Sequence, residues 1–295
     1  MYYNSNTITQ PEYTVDLDYI TNQVDQLALS ALQDEVSLEL KPGLVCPSSQ
    51  GSHTDMDYPL FLKSIHSMQG YYAQLCEHGF AQNPFHHLQQ TGIHYEQRML
   101  KATGDINTHK GAIFNLGFAC AGLGQCLKKN LPIRTEPICQ QIIENWQSDL
   151  LHNLARNPLS HGQQMRKKYG ITGAIEQVAH GFEIIQNQAL PCYKSTMLAT
   201  GDSVSASMQT LLLLISQLSD TNIVWRGGMS ALFIVQEMAK KFLDDGGVLQ
   251  HDWKTKLNHM NQYFTAHHLS PGGSADLLGI TLFFYKVEHE LCRDL

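Results

Sequence analysis

Apolar residues in this chain return at intervals of three and four almost throughout and hardly anywhere at intervals of two. That restricts the fold more than any other feature, because the first spacing lines one face of a helix and the second one face of a strand. Ile20, Val24, Leu27, Ala28, Ala31, Leu32 and Val36 mark a helix from about Val15 to Leu40, which Lys41-Pro42-Gly43 ends. Asp57 is placed to cap a second helix, with Pro59 in its first turn, running to about Glu77. Further patterns cover roughly His94 to Ala102, Thr108 to Leu127, Glu136 to Ala155, Thr172 to Gln188, Ser207 to Leu218, Met229 to Leu243, Asp252 to His267 and Ala275 to Leu291. Gly111, Ala112, Gly117, Ala119, Ala121, Gly122 and Gly124 make the Thr108 to Leu127 segment unusual, since small residues admit a neighbouring helix closely despite their poor helix propensity. The expectation is an all-α, compact multi-helix domain with a buried central helix, its site formed by polar, Gly-containing loops.

With 43% hydrophobic residues, 295 positions can enclose a sizeable core. No linker, composition shift or repeat divides them, so one catalytic domain over residues 1–295 is expected, led by a polar stretch at 1–14. The longest apolar runs, such as Leu211 to Ile215, are far short of a membrane span, and Met1 to Glu12 lacks the layout of a signal peptide. A soluble cytoplasmic protein is the expectation. The net charge of −7 argues against nucleic acid or an anionic membrane as partner, so any phosphate site must be local. Seven scattered cysteines (46, 76, 120, 126, 139, 192 and 292) without a C-x-x-C pair read as reduced core thiols, and fifteen histidines show no H-E-x-x-H spacing.

Four polar segments carry chemistry. Lys41-Pro42-Gly43-Leu44-Val45 leads to Gly51-Ser52-His53-Thr54-Asp55-Met56-Asp57, where two carboxylates in a loop can take a hard cation or, alternatively, Asp57 caps a helix beside a solvated Asp55. Glu96 and Arg98 precede Thr103-Gly104-Asp105-Ile106-Asn107-Thr108-His109-Lys110, in which Asn107 or Thr108 can cap the small-residue helix and leave backbone N–H groups, His109 and Lys110 for an anion. Ser219-Asp220-Thr221-Asn222 with Arg226-Gly227-Gly228 offers a guanidinium for phosphate and a carboxylate for a cation, or else a capped turn. Ser270-Pro271-Gly272-Gly273-Ser274 forms an anion cradle at a helix start. Asp276 in its first turn would repel phosphate unless a divalent cation sits between them, or else it complements the helix dipole. Jointly these loops suggest a Mg²⁺-dependent site for a polyphosphate substrate.

The segments KPGLV (41–45), GSHTDMD (51–57), TGDINTHKGAIF (103–114), DTN with RGG (220–228) and SPGGSADLL (270–278) resemble the triphosphoribosyl-dephospho-CoA synthases, in family order across nearly the whole chain. Tyr169 to Ala174 with Glu176, Gly181-Phe182 and Ala189-Leu190-Pro191 extend the likeness. Cys46, Asp105, Ile175 and Ser219 depart from the residues usual in the family. The resemblance implies an all-α enzyme that moves the triphosphoribosyl group of ATP to the 2′-hydroxyl of 3′-dephospho-CoA and releases adenine. The product is the prosthetic-group precursor of citrate lyase or malonate decarboxylase, which a separate transferase attaches to an acyl carrier protein; a homodimer is also carried as an expectation.

Cleaving the bond from ribose C1 to adenine develops positive charge on the sugar, which calls for nearby carboxylates. Asp55, Asp57, Asp220 and Asp276 are the candidate Mg²⁺ ligands or cation stabilisers. Lys41, Lys110 and Arg226 are candidate phosphate contacts, joined in the binding set by Asn107, Asn222, Ser270, Gly272, Gly273 and Ser274. His53, His109 and Glu96, in that order, are candidate general bases for the attacking hydroxyl. The rival expectation is an all-α, Mg²⁺-dependent hydrolase of a nucleotide or ADP-ribose type substrate.

Overall fold

A computed structural model describes residues 16–154 and 161–291; the polar lead at 1–14, Ala155 and Cys292 lie outside the described residues. Thirteen α-helices make up the described chain: α1 (Leu17–Ser37), α2 (Tyr58–Ser67), α3 (Tyr71–Phe80), α4 (Phe85–Thr103), α5 (Lys110–Lys128), α6 (Thr135–Leu154), α7 (His161–Tyr169), α8 (Ala174–Ala179), α9 (Leu190–Thr200), α10 (Ser203–Gln217), α11 (Thr221–Asp244), α12 (Trp253–Ala266) and α13 (Gly272–His289). Among the described residues there is no strand, only an isolated bridge between Cys46 and Ser49, so the all-α expectation holds. No described helix is long and apolar enough to cross a membrane.

The buried central helix is α5. From Ala112 to Cys126 only Phe114 keeps part of its surface, and α3, α4, α6, α8, α13 and the edge of α1 pack around it. Its closest neighbour is α3, and the small residues explain the approach. A Cβ at Gly124 would lie 2.0 Å from the Cys76 carbonyl oxygen, and one at Gly79 of α3 would lie 1.9 Å from that of Ala121. Two glycines, one from each helix, thus let the backbones touch where larger side chains would hold them apart. Burial raises the thiol pKa of Cys76, Cys120 and Cys139 and pushes that of Cys126 up to about 12, as inert core thiols require.

Helix boundaries depart from the sequence pattern where long-range contacts intervene. The helix expected from Asp57 to Glu77 is two, because Gly70 turns left-handed (φ 84°) and Asp25 of α1 accepts hydrogen bonds from Gly70 N (2.9 Å) and Tyr72 N (3.0 Å), capping α3 from outside. The helix expected from Thr172 to Gln188 stops at Ala179, where Gly181 and Phe182 take positive φ. A π-helical turn, Ile185–Ala189, then runs into α9 just ahead of Pro191, which has no N–H to continue the regular ladder. The helix α11 begins at Thr221, eight residues before the expected Met229, and breaks at Gly228 (φ 74°, ψ −176°). The polar sequences of α4 before His94 and of α7 hid both from the periodicity.

Candidate functional site

The end of α1, the two glycine loops between α1 and α2, and the starts of α5, α11 and α13 enclose a cleft of about 640 Å³. The loops hold shape through close backbone crossings. Gly43 is left-handed (φ 70°) with no room for a Cβ, which would meet the Leu269 carbonyl oxygen at 2.2 Å, and Ser52 N donates to Gly43 O (3.0 Å). Ser52 Oγ donates to the carbonyls of Leu269 (2.5 Å) and Phe264 (3.2 Å), and Asn261 Oδ1 accepts from Gly43 N (2.9 Å). The KPG and GSH segments are therefore docked onto the turn that leads into α13.

Of the residues singled out by sequence, Lys41, His53, Asn107, His109, Lys110, Asn222, Arg226, Ser270, Gly272 and Asp276 line this cleft. Asp276, in the first turns of α13, is one of them. No hydrogen bond from the described residues reaches its carboxylate, which keeps some surface in the cleft, while burial and then the charges of Glu35 and Asp220 raise its pKa well above the usual range. It rests against the first turn of α5, where a Cβ on Gly111 would fall 1.9 Å from its Oδ2. Gly111 is thus the only residue type that admits the carboxylate so close to a helix N-terminus.

The cations are held in different ways. Lys41 is buried and donates to Glu35 Oε1 (2.6 Å) and Glu35 O (2.8 Å). Lys110 is exposed and donates to Glu96 Oε1 (2.6 Å). Arg226 NH1 donates to the carbonyls of Ser52 (3.2 Å) and His268 (3.1 Å), while its NH2 donates to His53 Nδ1 (3.3 Å). A guanidinium has no lone pair to offer, so Nδ1 accepts, and the His53 proton sits on Nε2 and is donated to Ser270 Oγ (2.9 Å). Burial, followed by Arg226, lowers the His53 pKa and keeps the ring neutral.

His109 is neutral for a similar reason, its pKa brought down to about 3 by burial and by Lys41. Thr108 Oγ1 donates to Ser64 Oγ (2.7 Å), which leaves the serine proton for His109 Nδ1 (2.7 Å) and the ring proton on Nε2. That Nε2 is buried without a protein partner. Of the two residues offered as caps for α5, Thr108 serves Ser64, and Asn107 Oδ1 accepts from Lys110 N (3.2 Å).

Six of the singled-out residues fall elsewhere. Asp220 is 1% exposed and caps α11 through Asn222 N (2.9 Å), and its other oxygen accepts from Ser274 N (3.0 Å) and Oγ (3.3 Å). The anion cradle expected at Gly273 and Ser274 is accordingly filled by the chain's own carboxylate, which ties the starts of α11 and α13 together behind the cleft wall. Asp57 caps α2 through Leu60 N (2.9 Å), Asp55 is exposed with Oδ1 3.8 Å from His53 Nδ1, and Glu96 faces a neighbouring chamber. Among the described residues no three His, Cys, Asp or Glu side chains form a ready-made metal group, so Asp55, Asp57, Asp220 and Asp276 do not converge as one ligand set. Sequence reasoning missed Glu35, Ser64 and Phe61. Glu35 left a signal, a carboxylate on the apolar stripe of α1; Ser64 left none.

A neutral donor, a free carboxylate and three cations around one cleft suit an anionic substrate bearing a sugar, and the comparisons name one such chemistry. The profile of the ATP:dephospho-CoA triphosphoribosyl transferases matches residues 21–294. The chain belongs to that family. It is 54% identical over 276 residues, 94% of each chain, to a probable 2-(5''-triphosphoribosyl)-3'-dephosphocoenzyme-A synthase of Acinetobacter calcoaceticus. It is 36% identical to the synthase of Pectobacterium atrosepticum, covering 92% of this chain and 91% of that one, and 37% identical to the synthase of Klebsiella pneumoniae, covering 86% and 87%. No solved structure matches. In this triphosphoribosyl transferase family member, residues from the segments 41–45, 51–57, 103–114, 220–228 and 270–278 meet at the one cleft.

Proposed function

We propose that this cleft is the active site of a triphosphoribosyl-dephospho-CoA synthase. The chain is an enzyme of this class, with ATP and dephospho-CoA as substrates. In the proposed reaction the 2′-hydroxyl oxygen of 3′-dephospho-CoA forms a bond to ribose C1 of ATP as the bond from C1 to adenine breaks. The hydroxyl proton passes to a base, the electron pair of the broken bond stays on the adenine nitrogen, and adenine takes up one proton from the medium, so that protons lost and gained balance. The observation that carries the placement is Asp276, an unpartnered carboxylate of α13 set against the start of α5, in the cleft that Lys41, Lys110 and Arg226 also line. Deprotonated as the substrate and its cation bind, this carboxylate stabilises the positive sugar, while Lys41, Arg226 and the helix N-termini hold the triphosphate.

Mg²⁺ fits this arrangement in the mode where one carboxylate and substrate phosphates share the ion with water, and it would neutralise triphosphate charge. Asp276 is the residue proposed to hold it, with Asn222 nearby in the lining. His53 is the proposed base: Arg226, drawn to phosphate, would release Nδ1 to take the hydroxyl proton. His109, with a pKa of about 3, is too weak for that task and is proposed instead as an Nε2–H donor to a substrate oxygen. Also part of the reading are a cytoplasmic location, hand-off of the product to an acyl-carrier-protein transferase serving citrate lyase or malonate decarboxylase, and a homodimer, for which exposed Phe233 and Ile234 on α11 offer an apolar face.

The deciding experiment incubates purified protein with ATP, Mg²⁺ and 3′-dephospho-CoA and follows adenine and the mass of the CoA product together. One adenine per triphosphoribosyl adduct is the expected result. Adenine or another fragment released without an adduct would replace the transferase with a hydrolase.

A further inference from the structure

Beside the cleft lies a second, partly open chamber of about 460 Å³, within the range of small-molecule sites (about 300–1,000 Å³). Its walls are apolar: Leu88, Ile93, Phe114, Phe118 and Ile175 dominate, and Phe118 stands edge-on to Phe114 with ring centres 5.2 Å apart. The one hydroxyl among the described lining residues, that of Tyr71, is already spent on the Ile113 carbonyl (3.0 Å). The polar side chains among the described lining residues, besides Tyr71, are Gln89 and the ion-paired Glu96 and Lys110, and Lys110 and Gly111 line the chamber and the cleft alike. The two cavities thus meet at a cation and at a residue without a side chain.

We propose that this chamber receives the pantetheine arm of 3′-dephospho-CoA, an inference that rests on the transferase reading. The acceptor is a nucleoside diphosphate joined to a long arm of methylenes and a geminal dimethyl group interrupted by two amides. Of the pieces that the two substrates present, that arm alone suits these walls. Triphosphate and ribose would lose hydration against apolar side chains, and adenine would present a ring edge of nitrogens to a wall in which Gln89 is the uncharged amide, whereas the arm spaces its amides between methylenes and a dimethyl group that match the apolar stretches. Lys110 at the junction is placed for the diphosphate from which the arm extends, leaving the acceptor's ribose on the cleft side, toward Asp276. The chamber therefore selects an acceptor that carries the arm over a free nucleotide.

Gly92 of α4 supplies the test. It lines the chamber in mid-helix, and a Cβ there would meet only the Tyr71 hydroxyl, at an ordinary 3.5 Å, so Gly92→Leu fills the space without forcing the backbone. Ile93→Glu, at a position 50% exposed, places a charge in the same chamber with little demand on folding. Calorimetric titration of the purified wild type and both variants with 3′-dephospho-CoA, and separately with ADP, which is the acceptor without its arm, reads the chamber directly. The expected result is dephospho-CoA binding weakened about tenfold or more in both variants, with ADP binding and the KM for ATP unchanged. Equal weakening toward ADP, or a raised KM for ATP, would overturn the proposal by placing a nucleotide in the chamber; unchanged dephospho-CoA binding would overturn it outright. Because binding is read without turnover, a wild type that binds dephospho-CoA through the chamber yet makes no adduct would refute the transferase reading and leave the chamber assignment standing.

Discussion

Asp276 concentrates the conflict between stability and chemistry in a single side chain. Its carboxyl is raised in the folded state by burial and by Glu35 and Asp220, so the native protein holds a proton that the unfolded chain has released. The contribution of such a group is fully present below the unfolded value of 3.8 and is lost as pH rises through the raised folded value. Asp276→Asn removes that penalty: near pH 7 its thermal midpoint should exceed the wild type's by about 2 °C or more, and the difference should vanish in acid. The same variant should lose turnover by about 10²-fold or more, the scale of removing one electrostatic stabiliser from a transition state. Thermal melts across pH beside the adenine-release assay test both halves, and near wild-type turnover would take Asp276 out of the site.

At the scale of elements, two glycines that look alike in sequence have opposite consequences. Helix propensity alone says that Gly124→Ala in the interior of α5 should stabilise by about 1 kcal/mol. The structure reverses the sign, because the new methyl would lie 2.0 Å from the Cys76 carbonyl oxygen and push α3 off α5. A cost of about 3 kcal/mol or more is expected, the upper range of overpacking a core. Gly104→Ala, left-handed at φ 66° but with open space around it, should cost only about 1 kcal/mol. Urea unfolding of the two variants gives the comparison, and equal losses would mean that the α3–α5 approach is looser than described.

The whole molecule contributes the assembly of the cleft, whose walls come from α1, the 41–56 loops, α5, α11 and α13. A ligand that touches all of these binds only the folded state and stabilises it by about 2.7 kcal/mol at one hundred times its dissociation constant. ATP with Mg²⁺ should therefore raise the unfolding temperature more than ATP alone, and the increment due to Mg²⁺ should disappear in Asp276→Asn. Scanning calorimetry decides it; a Mg²⁺ increment that survives the substitution would assign the ion to other residues.

Periodicity determined that the chain is helical, because an apolar stripe at every third and fourth position has no other way to be buried, and the run of small residues between Gly111 and Gly124 told which helix is central. Local chemistry likewise told that the glycine segments 41–57, 103–111, 220–228 and 270–278 are where charge gathers, and four of those loops do reach one cleft. What stayed hidden was settled by partners distant in the chain. Asp25 breaks a helix by capping α3 from α1, and Glu35, on the buried side of α1, meets Lys41 at the cleft once the loop folds back. Asp220 and Asp276 both read as acidic residues beside glycine loops, and no local pattern separates them. Tertiary contact does: two helix starts occupy the first with hydrogen bonds, and Gly111 leaves the second open to the cleft.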